Sequence, residues 1–261
     1  MTAEKPALAL GWRVYGLGVI ALALVAFAIR DFDPGQPVPK AFPDRQILAY
    51  AAAGFLLVAG AAMEWRRTLV WASGALAAYY TLLVVVVMDG RVILRNADQF
   101  MAYSNTAEQL AIAAGAVIVF ATYAKIDPVW AGRLTKAGQV AFGISAILFG
   151  GAHFAYMGMT APLVPRWLPP SQLFWGYATG VFHIAAGVAI LTGIQARLAA
   201  ILLTVMFAAF TPLVHVPLFL ADPTRHFYWT ENATNLVLIG AAWVVADSLA
   251  RRRRGEVSPA R

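Results

Sequence analysis

Cysteine is absent from the 261 residues. The chain therefore forms no disulfide, no thiolate metal site and no iron–sulfur cluster, and any dithiol exchange would belong to a partner. Charge is scarce as well. Asp, Glu, Lys and Arg make up 13% of the chain, about half the share usual in a soluble domain. Histidine occurs four times, as His153, His183, His215 and His226. No HxxxH or ExxH spacing joins them into a metal motif. No Ser–His–Asp order or glycine elbow marks a hydrolase. Hydrophobic residues fill the rest, at 61% of the chain.

These hydrophobic residues fall in runs of about 20, long enough to cross a ~30 Å hydrocarbon layer as helices. Eight such runs cover residues 10–29, 46–64, 68–88, 106–124, 138–158, 172–192, 198–219 and 231–249. A single run could be a buried soluble helix. Eight in succession, joined by charged loops, predict a multi-spanning membrane protein in contact with the lipid bilayer.

The net charge of +7 is distributed by side. The N-terminus, loops 2–3, 4–5 and 6–7 and the C-terminus hold Lys5, Arg13, Arg66, Arg67, Lys125, Arg133, Lys136, Arg197, Arg251, Arg252, Arg253, Arg254 and Arg261. The other side holds Arg30, Lys40, Arg45, Arg91, Arg95, Arg166 and Arg225. The positive-inside rule then puts both termini in the cytoplasm and the chain in the inner membrane. The basic run at 251–254 reads as a topology anchor beside acidic headgroups. No aromatic interleaving or binding fold accompanies it, so nucleic acid is not the expected partner. The first span, with Arg13 upstream and Ala26-Phe27-Ala28 within it, resembles a secretory signal. The repeat described next makes it a permanent span.

The chain is written twice. Val38-Pro39-Lys40-Ala41-Phe42-Pro43 returns as Val164-Pro165-Arg166-Trp167-Leu168-Pro169, 126 residues later. Gln46 and Gln172, Gly54 and Gly180, Tyr103-Ser104 and Trp229-Thr230, and Gln109 and Asn235 keep that offset. A gap of about four residues opens near Gly193. All four histidines lie in the second copy, opposite Phe27, Leu57, Val85 and Phe100. The expected fold is an all-α membrane protein, with eight transmembrane helices as two parallel four-helix repeats. Residues 1–124 are the first repeat, a degenerate scaffold. Residues 125–136 are a cytoplasmic linker broken at Asp127-Pro128. Residues 137–250 are the second repeat, and 251–261 a basic tail.

Prolines at 34, 37, 39 and 43, and again at 162, 165, 169 and 170, keep the outer loops extended. Trp167, Trp175, Tyr177 and Trp229 form an expected aromatic belt at the outer interface. Gly143, Gly150 and Gly151 in span 5, and Gly176, Gly180 and Gly187 in span 6, predict a close seam between those helices.

The polar residues of the second copy gather toward its outer half. At 1.5 Å per residue His153 and His215 lie about 6–8 Å from the outer end, and His183 about 16 Å in. Glu231, Asn232 and Asn235 open span 8 at the outer surface. Pro212 frees the carbonyl of Ala208 and kinks span 7 below His215. Polar groups at membrane depth face a partner or a cavity. Three readings stay open: helix-to-helix hydrogen bonds that fix the fold, a small-molecule or quinone pocket with Trp175 or Phe154 against the ring, and a metal or haem site. The candidate ligand-binding residues are His153, His183, His215, Glu231, Asn232, Asn235 and Trp175. His183 and His215 would bond the ligand, Glu231 would accept protons or orient a histidine, and Asn235 would fix ligand orientation. Glu108 reads as a charge at a helix N-terminus. Glu64 reads as a surface neighbour of Arg66 and Arg67.

Gly150-Gly151-Ala152-His153-Phe154, the Val164-Pro165-Arg166-Trp167-Leu168-Pro169 block, Tyr177-Ala178-Thr179-Gly180, Ala185-Ala186-Gly187, Arg197-Leu198-Ala199-Ala200 and Phe210-Thr211-Pro212 together resemble the DoxX-like integral membrane proteins. The resemblance covers about residues 136 to 249. It implies a four-helix membrane bundle, and a link to quinone-dependent sulfur oxidation or to membrane redox complexes with soluble thiol enzymes. The missing cysteine and the doubling set this chain apart from a direct thiol role. The expected function is a binding or accessory subunit for a lipophilic, quinone-like redox partner, or the membrane anchor of a redox complex, with a soluble redox protein as partner. No catalytic motif makes it an enzyme in its own right. The alternatives are a transporter of a small or lipidic solute and a structural protein without ligand.

Overall fold

The computed structural model describes residues 10–257, with side chains through residue 250. Lys5, Arg261 and the side chains of the basic run at 251–254 lie outside that range. Eight long helices follow one another: α1 (Gly11–Ile29), α2 (Arg45–Met63), α3 (Leu69–Arg95), α4 (Phe100–Tyr123), α5 (Pro128–Ala155), α6 (Gln172–Thr192), α7 (Ala196–Ala221) and α8 (His226–Val257). Each contains a stretch long and apolar enough to cross a bilayer. The protein is an all-α, multi-pass membrane protein.

Three helices begin earlier than their hydropathy suggests. α4 starts at Phe100 and not 106, α5 at Pro128 and not 138, and α8 at His226 and not 231. A polar stretch lowers hydropathy without ending a helix. For α5 the start signal is explicit. The Val129 and Trp130 N–H groups donate to Asp127 Oδ1 at 2.9 and 3.2 Å, and Pro128 takes the first helical position. Non-helical backbone between α4 and α5 is thus confined to residues 124–127.

Each helix packs on the next in sequence, and α8 closes the circle on α1. A further contact runs across the circle, between α4 and α8. The result is a ring pinched at a waist: α1 to α3 form one lobe on α4 and α8, and α5 to α7 form the other. Burial follows this plan. The spans of α4 and α8 are 67% and 72% buried, against 22% for α7, so the waist is the core and α7 faces lipid.

Small residues allow the close approaches on which association in lipid depends. A Cβ added at Gly187 would lie 2.5 Å from the Gly143 carbonyl oxygen, and one at Gly150 would lie 2.6 Å from that of Gly180. The expected α5–α6 seam is present. At the waist Gly240 of α8 receives the backbone of Tyr15, whose hydroxyl donates to the Ile112 carbonyl of α4 at 2.8 Å. Two helices contain wide π turns, α3 over Tyr79–Asp89 and α7 over Thr211–His215. Pro212 lacks the N–H that a regular turn needs, which accounts for the second of these.

Candidate functional site

His153 and His183 come together where α5 meets α6. Their ring centroids are 5.3 Å apart. The His183 Nδ1–H donates to the Thr179 carbonyl at 2.8 Å, and the His153 Nδ1–H donates to that of Gly176 at 3.0 Å. A carbonyl oxygen can only accept, so in the neutral rings Nε2 carries the lone pair. His183 is 2% exposed and sits among Phe149, Phe207 and Phe210, at centroid distances of 5.9, 5.6 and 6.3 Å. Thr179 Oγ1 lies 3.1 Å from His153 Nδ1 and donates its own hydrogen to the Trp175 carbonyl at 2.6 Å.

Thr179 also faces a cleft between α6 and α7 of about 690 Å³. Trp175, Phe182, Leu198, Met206 and Phe210 share its wall, and Pro165 and Leu168 of the preceding loop border it. Phe182, Leu198, Leu202 and Val205 line it and are exposed. On a transmembrane helix such side chains meet acyl chains, so the cleft opens sideways toward lipid. Its size and apolar wall fall in the range of small-molecule sites. Trp175 is fixed there by a bond from Nε1 to the Pro169 carbonyl at 2.8 Å.

The remaining predicted residues go elsewhere. The Asn235 Nδ2 donates to the Phe207 carbonyl at 3.0 Å and to Thr211 Oγ1 at 2.9 Å. The Asn232 Nδ2 donates to the carbonyls of His215 and Tyr228, at 3.0 and 2.8 Å. Both asparagines thus clasp α7 around its π turn. His215 closes that turn and is not among the ring contacts of the other two histidines. Among the described residues, no three His, Asp or Glu side chains converge as a metal ion would require.

Glu231 lies within electrostatic reach of Asp33 and, across the waist, of Glu108. Glu108 is reached in turn by Asp33 and Asp89. Sequence reasoning missed this acidic group because α4 starts at Phe100, which puts Glu108 two turns inside the helix and not at its end. The signal was the Asn96–Asp98 turn signature just before Phe100. Asp33 belongs to the loop between α1 and α2, is buried, and accepts from the Gly35 N–H at 2.7 Å. Burial raises its carboxyl to about 6, against the pull of that bond. Next to Glu108, Gln109 is 1% exposed, and neither end of its amide has a hydrogen-bond partner. Glu64 is a second departure: its Oε1 is buried against Gly16 of α1 without a partner. Burial raises this carboxyl, and Arg13 opposes the rise.

Residues 142–246 match a family model described as Domain of unknown function (DUF8561). That stretch begins in α5 and ends in α8, so it holds the histidine pair, the α6–α7 cleft and Glu231. No curated protein and no solved structure matches the chain.

Proposed function

We propose that this protein binds a lipophilic molecule with a hydroxyl-bearing, quinol-like head in the cleft between α6 and α7, as a binding or accessory subunit of the inner membrane. The observation that carries the reading is the joint position of Thr179, on the wall of the cleft and 3.1 Å from His153. The tail lies along Phe182 and Leu198, and Trp175 stacks near the head. The Thr179 hydroxyl has its own hydrogen committed to the Trp175 carbonyl and both histidine Nδ1–H groups are engaged by backbone, so the cleft wall offers the Thr179 oxygen as an acceptor and suits a ligand that donates. A quinol donates where a quinone only accepts. A soluble redox protein would complete the complex, in keeping with the DoxX-like resemblance of about residues 136 to 249.

The duplicated, parallel four-helix plan belongs to the same reading. Helix ends at Ile29 and Ala155, at Arg95 and Ala221, and helix starts at Phe100 and His226, are each 126 residues apart. Carbonyl acceptors recur at that offset. Val38 accepts from Arg45 and Val164 from Gln172, both at 2.5 Å. Ala97 accepts from the Tyr103 hydroxyl at 3.0 Å, and Pro223 from Trp229 Nε1 at 2.8 Å. The π turns end at Asp89 and His215, also 126 apart, which supports Asp89 as the counterpart of His215 alongside the gapped alignment to Val85. The bias of Lys and Arg toward one side supports a cytoplasmic location for both termini.

The test is extraction of the purified protein and mass spectrometry of what accompanies it. Wild type should bring a hydroxyl- or quinone-headed isoprenoid that Ala185→Trp, which fills the cleft, excludes without lowering the melting temperature. Ordinary phospholipid alone in the wild type, or equal retention in the variant, would reject the reading.

A further inference from the structure

Glu108 of α4 lies within electrostatic reach of three carboxylates from three other parts of the chain: Asp33 of the α1–α2 loop, Asp89 at the end of the π turn of α3, and Glu231 of α8, which Asp33 also reaches. The charges that reach them are each other, with no lysine or arginine among the described residues acting on them. The nearest guanidinium in sequence, Arg91, donates from Nη2 to the Pro37 carbonyl at 2.7 Å, and Arg45 is paired with Asp31 at 2.8 Å. Tyr79 and Tyr80 of α3 face the same group through Asp33, and Tyr15 of α1 faces Tyr80. The ring of His215 on α7 is reached by none of the acids.

Buried polar atoms without partners accompany these acids. Gln109 is the clearest, with Oε1 and Nε2 both buried and both without partners. Its amide abuts Gly35, and a Cβ on Gly35 would also lie 3.2 Å from Asp33 Oδ1. The Tyr80 hydroxyl, Asp89 Oδ2 and Gln36 Nε2 are likewise buried and unpartnered. A buried donor or acceptor left so costs about 1–3 kcal/mol, more if charged. Several in one place mark a site whose ligand satisfies them. The contact of Gly35 on Gln109 leaves no room there for an organic molecule, and among the described residues no three His, Asp or Glu side chains are grouped as a metal ion would require. A proton needs no room. It removes like-charge repulsion and turns a carboxylate into a donor that an amide oxygen or a second carboxylate can accept.

We propose that Asp33, Asp89, Glu108 and Glu231, with the amide of Gln109, form a proton-binding site that holds exchangeable protons between α4 and α8. Because Glu108 and Glu231 sit on the two helices of the waist, loss of the protons sets like charges against each other across the contact that joins the lobes. The site does not depend on the ligand of the α6–α7 cleft.

The experiment is infrared spectroscopy of the full chain in lipid, in light and heavy water, through a pH titration. At neutral pH the exposed carboxylates are ionised, so a carboxylic-acid carbonyl band reports buried acids. The wild type should show this band at neutral pH and lose it at alkaline pH, and Glu108→Gln and Glu231→Gln should each lose a large part of it. No band in the wild type at neutral pH overturns the proposal, whatever the variants do. A band unchanged in Glu108→Gln, Glu231→Gln and Asp89→Asn overturns it too. Disappearance of the wild-type band on adding sodium or magnesium at constant pH would assign the site to a cation and overturn the proton assignment.

Discussion

Asn235 on α8 closes the break in α7: its Nδ2 reaches the Phe207 carbonyl at 3.0 Å and Thr211 Oγ1 at 2.9 Å. In the wider π register the donor five residues after Phe207 would be Pro212, which has no N–H to give, so the Phe207 carbonyl takes its hydrogen from Asn235. In lipid no water replaces that bond. Asn235→Leu keeps the side-chain volume and removes both bonds. We expect a loss of about 1–2 kcal/mol, read by unfolding in mixed micelles, with Thr211→Val losing less. A leucine variant as stable as wild type would show that the asparagine is not a clasp.

How much of this was legible in the sequence differs by level. Eight apolar runs gave eight helices, because length and hydropathy are what a bilayer selects. The glycines of α5 and α6 announced their seam for a similar reason: spacing alone puts Gly143, Gly150, Gly180 and Gly187 on facing sides. Asn232 and Asn235 could not be assigned that way. Whether an amide faces a ligand or a neighbouring carbonyl depends on where α7 breaks. The acidic group was harder still. Asp33, Asp89, Glu108 and Glu231 are 198 residues apart at their extremes, and only tertiary packing, of α3 on α4 and of α4 on α8, brings them into range of Glu108. His153 and His183 were placed near the seam by their three-residue distance from Gly150 and Gly180, and there the structure has them.

The seam gives a paired prediction. A side chain at Gly187 meets the Gly143 carbonyl, the Ile147 side chain and the Ile147 backbone within 3.0 Å, so α5 and α6 must separate. Overpacking of this kind costs about 1–3 kcal/mol. Gly132, in the same helix as Gly143, has nothing within 4 Å of an added Cβ. Gly132→Ala should raise stability by up to about 1 kcal/mol through helix propensity, while Gly187→Leu should lower it. Equal melting temperatures for the two variants would remove the seam from the account of α5–α6 packing.

His183 fills an aromatic box and makes one backbone bond, so its two contributions are separable. His183→Phe keeps the ring against Phe149, Phe207 and Phe210 and gives up the bond to Thr179. We expect it to stay within about 1 kcal/mol of wild type. His183→Ala empties the box and should cost about 2–4 kcal/mol. Chemical unfolding of the three proteins side by side decides the matter, and an alanine variant no weaker than the phenylalanine variant would mean that the box is not packed around the ring.

Asp33 makes the stability depend on pH in a direction opposite to that of an ion-paired aspartate. Burial raises its carboxyl from 3.8 to about 6 in the folded protein. Between those values the folded state binds the proton and the unfolded state does not. Stability therefore falls as pH rises through that window and levels off above about 6. The loss is bounded at roughly 3 kcal/mol by the size of the change. Asp33→Asn carries no titrating group and should flatten this part of the profile, while Asp31→Asn, outside the buried turn, should leave it in place. Melting temperatures of the wild type and both variants across the window test the claim, and a wild type that gains stability from mildly acidic to neutral pH would contradict it.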